Sequence, residues 1–554
     1  MSTITLPDLG DEVMFPRLSD AKIARLAESG EHRSFAADEA LYEQGERDTP
    51  FYVIQQGLVH LVDHQPGEDV VISKADSGTF LGDIAVFTGE PAISACIAAE
   101  PTDVVAFTRA QLREMLAGWP QFAEIVLRTM MARRAWHEGT GHGVLRLITP
   151  RGSRRAFQVR DLLERNLLPV RTYDLDTDPE SVALLDTLAI PPEETPVLVR
   201  NDCVLRNPSA AQVARELGLR AEVDGQRFDL VVLGAGPAGL AAAVYGGSEG
   251  LRTLIVEAWG PGGQAGTSSR IENYLGFPTG ISGVDLTRKA TLQARRFDAM
   301  FSSFHSAVEL ADGPEALTRV DLDDGQHVLA RTVVVSTGAR WRELDADGVQ
   351  RLTGAGVFHA AMPSDAKRCR NQDVIVVGGG NSAGQAIVQL ASLARSVRVV
   401  VRGAGLSSTM SRYLVDRIEN ARNIEVMTET EVAAAHGDGR LEAVDLRRRG
   451  EDGVQRVETT TMFVMIGADP CTEMVEGMLG VDPAGYLVCG KTAACHQGPC
   501  RWPLADRDPQ LLETVRPGVF AAGDVRAGST KRVAGAVGDG ALAVRFAHEA
   551  LALA

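Results

Sequence analysis

Four stretches of different apolar and polar texture follow one another along the chain. Between residues 15 and 115 the apolar positions come in short alternating runs broken by Gly, Pro and Asp, as in LYEQGE, PFYVIQQGLVHLVDH, DVVISKADSGTFLGDIAVF and DVVAFT. Short period-two runs bounded by turn residues predict a small antiparallel β jelly-roll barrel. The stretch RAQLREMLAGWPQFAEIVLRTMMARRAW that follows predicts helix. From 144 to 220 the order is strand VLRLIT, helix AFQVRDLLERN, strand VRTYDL, helix SVALLDTLA and strand PVLVRN, which predicts a small α/β unit. From Phe228 the runs lengthen and one layout occurs twice, at 228 to 257 (FDLVVLGAGPAGLAAAVYGGSEGLRTLIVE) and at 372 to 402 (QDVIVVGGGNSAGQAIVQLASLARSVRVVVR). Each copy has an apolar strand, a Gly-rich turn, an Ala-rich helix and a second apolar strand, and this internal repeat predicts two βαβ units of one kind.

Composition narrows the classes. A length of 554 residues fits roughly three to four domains. Hydrophobic residues are 45% and charged residues 23%, ordinary globular usage that excludes wholesale disorder. The formal net charge of −17 repels a polyanion, so nucleic acid is excluded as a main partner. The start MSTITLPDLGDEVMF lacks the basic and apolar segments of a signal peptide. No apolar run reaches the ~18 residues of a membrane span. Seven cysteines, few and odd in number, fit a reducing cytoplasm better than a disulfide framework.

The chemistry lies in the glycine clusters. Gly234, Gly236 and Gly239 form G-A-G-P-A-G with Pro237 and Ala238, directly after a strand. In such a turn the first glycine makes the bend, the second admits a pyrophosphate to the backbone, and the third lets helix and strand pack closely. The helix N-terminus offers unpaired N–H groups to phosphate. Glu257, ending the second strand, can accept both ribose hydroxyl protons. The plainer alternative is a tight strand-to-helix turn without a ligand. The second copy has Gly378, Gly380 and Ala383, with Asn381 and Ser382 between, and Arg402 stands where an acid would select a 2′-hydroxyl. A cation there favours a 2′-phosphate, hence NADPH over NADH, unless Arg402 is only a surface residue at a strand end.

With these motifs in view, residues 228 to 554 resemble the low-molecular-weight thioredoxin reductases. GAGPAG, GGQ (262 to 264), IENYLGFP (271 to 278), STGAR (336 to 340), GGGNSA and GVFAAGD (518 to 524) occur in that family's order. The resemblance implies an FAD domain interrupted by an NADPH domain, with FAD contacts at Gly263, Gln264, Asn273, Ser336, Thr337 and Gly338. It implies a ribityl-binding acid at Asp524, after Gly523, and a segment Lys531, Arg532 and Val533 beside the isoalloxazine ring. A helix beginning near Arg532 would aim its positive end at that ring. The sequence departs from the family at its redox C-x-x-C, whose cysteine positions fall on Ala360 and Pro363, and these side chains cannot carry electrons. Cys369 nearby reads as a small core residue, and His359 as a core histidine or a proton donor near the flavin.

The middle unit resembles a glutaredoxin or thioredoxin fold, with Thr195-Pro196 at the cis-proline position and Ser153-Arg154-Arg155-Ala156 where a C-x-x-C would be. It reads as a redox-dead scaffold or as an ordinary α/β spacer. The first unit resembles a cyclic-nucleotide-binding domain of the catabolite-activator type. Gly82 and Asp83 keep the turn and acid of that family's cassette, but its phosphate-binding arginine falls on Ala92 or Ile93. No helix-turn-helix follows it. Cys489, Cys495 and Cys500, with His496, could form a zinc site, a replacement disulfide or three free thiols, although C-x5-C-x4-C is not a usual zinc spacing, and no metal is expected.

The expected boundaries are 1–138 for the cyclic-nucleotide-binding-like domain, 142–222 for the thioredoxin-like α/β unit, 226–345 and 471–554 for the two parts of a Rossmann-like FAD domain, and 346–470 for a Rossmann-like NADPH domain. The expected activity is NADPH-dependent reduction of FAD, with electrons leaving to an unidentified acceptor: a protein carrier, a quinone, a disulfide or oxygen. The closest analogues without the dithiol are the ferredoxin-NADP reductases of thioredoxin-reductase type. Two alternatives stay open, a thioredoxin-disulfide reductase relaying through Cys489, Cys495 and Cys500, and a flavin-based redox sensor. The family resemblance also implies a homodimer. No catalytic residue is assigned.

Overall fold

A computed structural model describes residues 11–65, 68–88, 91–140, 145–200, 203–268, 270–359, 369–494 and 502–553. The chain forms two compact units, one running to Arg151 and resuming at Leu167–Ser209, the other made of Gly152–Asn166 and the chain from Ala210 onward.

The first unit opens with helices α1 (Asp11–Met14) and α2 (Asp20–Ala27). The strands that follow are β1 (Glu31–Phe35), β2 (Ala40–Tyr42), β3 (Phe51–Gln56), β4 (Leu58–Gln65), β5 (Glu68–Asp76), β6 (Phe80–Leu81), β7 (Ala95–Ala98) and β8 (Thr102–Phe107), with helix α3 (Asp83–Thr88) between β6 and β7. They form two antiparallel sheets, in the orders β1-β8-β3-β6 and β2-β7-β4-β5. The period-two alternation explains the packing. Phe51 and Val53 join Phe80, Val105 and Phe107 in one core, while Tyr52 and Ile54 join Leu41, Val59, Cys96 and Val104 in the other.

The single helix expected after the barrel is two, α4 (Arg109–Gly118) and α5 (Pro120–Thr140). Pro120 disfavours helical backbone at the residue before it, and Trp119 leaves the helical region at φ −139°, ψ 76°. A capping box between Thr108 and Gln111 starts α4. Beyond it, β9 (Leu145–Thr149) precedes helix α6 (Arg154–Arg165), which belongs to the second unit. The first unit then continues through β10 (Val170–Asp174), α7 (Pro179–Thr187), β11 (Val197–Arg200) and β12 (Cys203–Arg206). Their sheet has the order β10-β9-β11-β12, with β9 parallel to β10 and antiparallel to β11. Ile148, Tyr173, Val197 and Val199 of this sheet pack with Leu185 of α7, and the Thr195-Pro196 peptide is cis.

The second unit, after α6 and α8 (Ala210–Glu216), begins its main sheet with β13 (Arg227–Leu233), α9 (Pro237–Ser248), β14 (Thr253–Glu257), α10 (Gly283–Arg296) and β15 (Met300–Ser303). It continues with β16 (Ala307–Asp312), β17 (Thr318–Leu322) and β18 (His327–Val335). The order is β15-β14-β13-β18-β17-β16, parallel from β15 to β18 and antiparallel beyond. β19 (Ala339–Trp341) leads out to a second sheet built from β20 (Val357–Phe358), β21 (Asp373–Val377), α11 (Asn381–Ala391), β22 (Ser396–Val400), α12 (Arg412–Glu419) and β23 (Ile424–Met427). An antiparallel trio, β24 (Thr430–His436), β25 (Ala443–Arg448) and β26 (Gln455–Glu458), precedes β27 (Met462–Val464). The second sheet is parallel throughout, in the order β20-β27-β21-β22-β23.

The chain returns through β28 (Ala468–Pro470), antiparallel to β19. After α13 (Lys491–Ala494), β29 (Val519–Ala521) joins the first sheet alongside β18, and α14 (Val533–Leu553) packs on α9. One sheet is thus interrupted by another and then completed. No described helix is long and apolar enough to cross a membrane.

Candidate functional site

The turn between β13 and α9 is shaped by contacts that only glycine permits. Gly234 has φ +96°, and a Cβ there would lie 2.6 Å from the Ser336 carbonyl oxygen. A Cβ on Gly239 would lie 1.8 Å from the Gly234 carbonyl oxygen, so the helix starts hard against its own turn. Gly236, in extended backbone at the head of α9, would place a Cβ in ordinary contact with the Gly263 Cα, at 3.9 Å. Gly263 (φ +53°) faces Gly236 in turn, with only 2.9 Å between its would-be Cβ and the Gly236 Cα. Two turns therefore meet backbone to backbone, and Gly262 N–H donates to the Ala235 carbonyl at 2.8 Å. Pro237, the first residue of α9, has no N–H to lose there.

Glu257 sits at the end of β14 with its carboxylate accepting from Ala235 N–H at 2.7 Å and from Trp259 N–H at 3.0 Å. Burial raises its pKa, while those bonds and the Arg165 charge work the other way. Each carboxylate oxygen has a second lone pair, so the group retains acceptor capacity.

Residues after β18 and β29 close the same site. Ser336 Oγ donates to the carbonyls of Leu233 and Gly234, each at 2.9 Å. Thr337 Oγ1 donates to the Cys471 carbonyl at 2.6 Å, and Cys471 N–H returns a bond to the Gly338 carbonyl at 3.1 Å. Gln264 Nε2 donates to the Ala339 carbonyl. Gly523 (φ +77°) passes close to Ala238, and its N–H donates to Asp539 at 3.1 Å. Asp524 is half-buried, which raises its pKa, with Lys531 as the opposing charge. Lys531 Nζ donates to the Asp524 carbonyl and stands 3.8 Å above the Tyr486 ring, and burial lowers its pKa. Arg532 is exposed, and its carbonyl accepts the first helical bond of α14, which starts at Val533. Asn273 lies exposed and makes no hydrogen bond among the described residues.

The second Gly-rich turn, between β21 and α11, is built differently. Gly378 has φ +137° and would place a Cβ 2.1 Å from the Met465 carbonyl oxygen, whereas a Cβ on Gly380 would meet nothing within 4 Å. Ala383 is fully buried and Ser382 exposed. The loop after β22 braces this turn: Thr409 Oγ1 donates to the Gly379 carbonyl at 2.7 Å, and Ser411 N–H donates to Asn381 Oδ1 at 2.6 Å. β22 ends at Val400, and Arg402, two residues on, is exposed without an ion-pair partner among the described residues. Both turns therefore fit dinucleotides: each keeps a side-chain-free space ahead of a helix N-terminus, one beside a carboxylate and the other followed by a cation.

Other expected residues fall elsewhere. Ala360, Pro363, Cys495, His496 and Cys500 lie outside the described residues. His359 is half-buried, its pKa lowered by burial, and its Nδ1 has no hydrogen-bond partner among the described residues. Cys369 is a fully buried member of the core around β21. Burial pushes the Cys489 thiol up to about 12.

In the first unit, Asp83 is buried against Arg133 of α5. Arg133 also donates to the carbonyls of Phe80 at 3.0 Å and Met14 at 2.8 Å. Burial raises the Asp83 pKa, opposed by Arg133. Ala92 is buried, with its N–H and carbonyl bonded to the backbone at Glu46 and Gly45.

Sequence reading missed Asp539, Trp259 and Arg133. Asp539 accepts from Gly523 N–H and pairs with Arg526 at 3.1 Å. A single carboxylate in the apolar helix VAGAVGDGALAV was its available signal.

Comparison with known proteins finds two families along the chain. The pyridine nucleotide-disulphide oxidoreductase family matches residues 228–540, and the cyclic nucleotide-binding domain matches residues 32–118. A thioredoxin reductase of Mycolicibacterium smegmatis is 34% identical over 317 residues, covering 57% of this chain and 94% of that protein. A thioredoxin reductase of Listeria monocytogenes is 32% identical over 329 residues, covering 58% and 93%. The crystal structure of Lactococcus lactis thioredoxin reductase aligns with a TM-score of 0.51 at 26% identity, over 59% of this chain and 100% of that one.

Proposed function

Because this chain belongs to the pyridine nucleotide-disulphide oxidoreductase family, as a thioredoxin reductase-type FAD/NADPH oxidoreductase that carries a cyclic nucleotide-binding domain, we propose that it reduces FAD with NADPH and delivers the electrons to an acceptor without a C-x-x-C dithiol of its own. The observation that carries this reading is the pair of cleared Gly-rich turns in one unit, combined with Ala360 and Pro363 at the family's cysteine positions. When bound, the two cofactors supply hydride transfer from nicotinamide to flavin and onward electron release.

The residues divide the work. Gly234, Gly236, Pro237, Ala238 and Gly239 clear the approach of the FAD pyrophosphate to the head of α9, and Gly263 keeps the facing turn close. Glu257 receives the ribose hydroxyls on its remaining lone pairs. Ser336, Thr337 and Gly338 line the cofactor, and Gly523 and Asp524 hold the ribityl chain. The N-terminus of α14, at Lys531, Arg532 and Val533, presents positive potential where negative charge accumulates on reduction. Gly378, Gly380, Asn381, Ser382 and Ala383 form the NADPH turn, and Arg402 selects the 2′-phosphate.

The cysteine relay is the weaker reading. Burial pushes the Cys489 thiol up to about 12, which disfavours the thiolate that a relay would need. The middle unit reads as a redox-dead thioredoxin-like scaffold, supported by its mixed sheet order and by Ser153 and Ala156 at the cysteine positions. The amino-terminal domain reads as a jelly-roll barrel whose binding of a cyclic nucleotide is doubtful: Ala92 supplies no cation for the phosphate, and the Asp83 carboxylate is engaged by Arg133.

The test is anaerobic stopped-flow reduction of FAD-loaded protein by NADPH and NADH, followed by a screen of ferredoxin, flavodoxin, quinone, protein disulfide and oxygen as acceptors. Fast bleaching by NADPH with turnover on a non-disulfide acceptor is expected. Turnover confined to disulfides would overturn the dithiol-free reading.

A further inference from the structure

Helix α6 reaches both nucleotide-binding halves of the second unit. Near its N-terminus Phe157 packs into the core around β21, its ring 6.2 Å from that of Phe358, and Gly354 leaves room for Arg154. Near its C-terminus α6 grips the segment that follows β14. Trp259 Nε1 donates to Asp161 Oδ2 at 2.7 Å, and Arg165 Nε donates to the same carboxylate at 3.0 Å. Arg165 Nη1 then donates to the Gly263 carbonyl at 3.1 Å.

Asn166, itself buried, adds bonds to the carbonyls of Leu162 at 2.8 Å and Trp259 at 3.4 Å. A Cβ on Gly260 would lie 2.8 Å from both the Arg165 Cβ and the Asn166 Nδ2, so the helix rests on bare backbone. The grip falls on a sensitive peptide, because Gly263 is the residue that meets Gly236 across the two turns. A guanidinium can hold a carboxylate and a carbonyl at once in a fixed fork, which an ammonium cannot reproduce.

We propose that Arg165, oriented by Asp161, is a positioning residue for the FAD-binding turn 260–264: it fixes the Gly263 peptide so that the two facing turns keep their spacing before the cofactor arrives. This rests on the reading of that turn as part of the FAD site. Ordering a turn in advance of binding lowers the conformational cost of taking up the ligand, and its loss appears as weaker and faster-dissociating cofactor.

The full-length protein, deflavinated and titrated with FAD, tests this by flavin and tryptophan fluorescence. R165M is expected to raise the FAD Kd about ten-fold or more, the scale of one charge-assisted hydrogen bond, with a faster release rate. R165K should recover only part of that loss. D161A should weaken FAD similarly, and the D161A/R165M double variant no more than the worse single one, since both act through one peptide. F157A, which loosens the opposite end of α6, should leave the FAD Kd within about two-fold.

Wild-type Kd and release rate in R165M would overturn the proposal, as would an F157A loss equal to that of R165M, which would mean that mere seating of the helix matters. A wild-type protein that takes up no FAD would instead remove the FAD reading itself, so the two failures are distinguishable.

Discussion

The two Gly-rich turns share one motif and are braced in opposite ways. The first is locked from several sides: Ser336 caps its carbonyls, Glu257 ties Ala235 to Trp259, and position 239 has no room for a methyl group. The second tolerates Ala383 at the matching position and is held by the loop after β22, with Arg402 exposed. A turn closed by the surrounding fold suits a ligand that stays, and a turn closed by one exposed loop suits a ligand that comes and goes. The third glycine is therefore required by how closely the helix meets its own turn, and the motif alone does not dictate it.

Substitution at the two third positions gives the largest contrast. G239V should yield protein without flavin, read as the loss of visible absorbance after purification, whereas A383G should change the KM for NADPH by less than about three-fold, its main cost being the glycine's helix penalty. Equal damage at both positions would dissolve the comparison. Next, E257Q keeps one backbone acceptor and loses the charge, so the FAD Kd should rise about ten-fold or more.

On the open side, R402A should lower the NADPH-over-NADH preference in kcat/KM by about ten-fold with kcat for NADPH little changed, as expected for loss of a charge-assisted contact to a 2′-phosphate. C489S should leave NADPH-driven turnover unchanged within assay error.

The smallest effect concerns pH. Burial raises the Asp324 carboxyl, but the His305 ring nitrogen 2.9 Å away and two hydrogen bonds from Gln326 outweigh it and hold the group at about 2. Its folded pKa lies below its unfolded value, so its stabilising contribution is complete above about pH 4 and is lost as pH falls toward about 2. D324N should therefore flatten the decline of Tm across that window and lower Tm modestly at neutral pH.

What was legible in the sequence was local. Gly234, Gly236, Gly239 and Glu257 lie within one crossover, where turn chemistry and strand ends are written in neighbouring residues. The break at Trp119 was equally local, and Pro120 announced it, yet the long apolar spacing through both helices masked it. The buried Asp83–Arg133 pair and the Asp161–Trp259 bond join side chains far apart in sequence, and no periodicity points from one partner to the other. Asp539 stood between these cases: its helix was evident and its carboxylate conspicuous, but its target, the Gly523 N–H, depends on how the returning strand lies beside β18.

That returning strand carries a consequence for biosynthesis. Val333–Val335 pair with Val519–Ala521, and α14 crosses α9 so closely that a side chain at Gly540 would strike the Ala238 carbonyl. While the ribosome is still translating the inserted sheet, β18 keeps an unsatisfied edge and α9 an uncovered apolar flank. The nascent polypeptide thus emerges with its earlier nucleotide fold unfinished, and it is sealed only once residues 519–553 have left the exit tunnel, which makes a truncation before them as damaging to flavin loading as a lesion in the glycine turn.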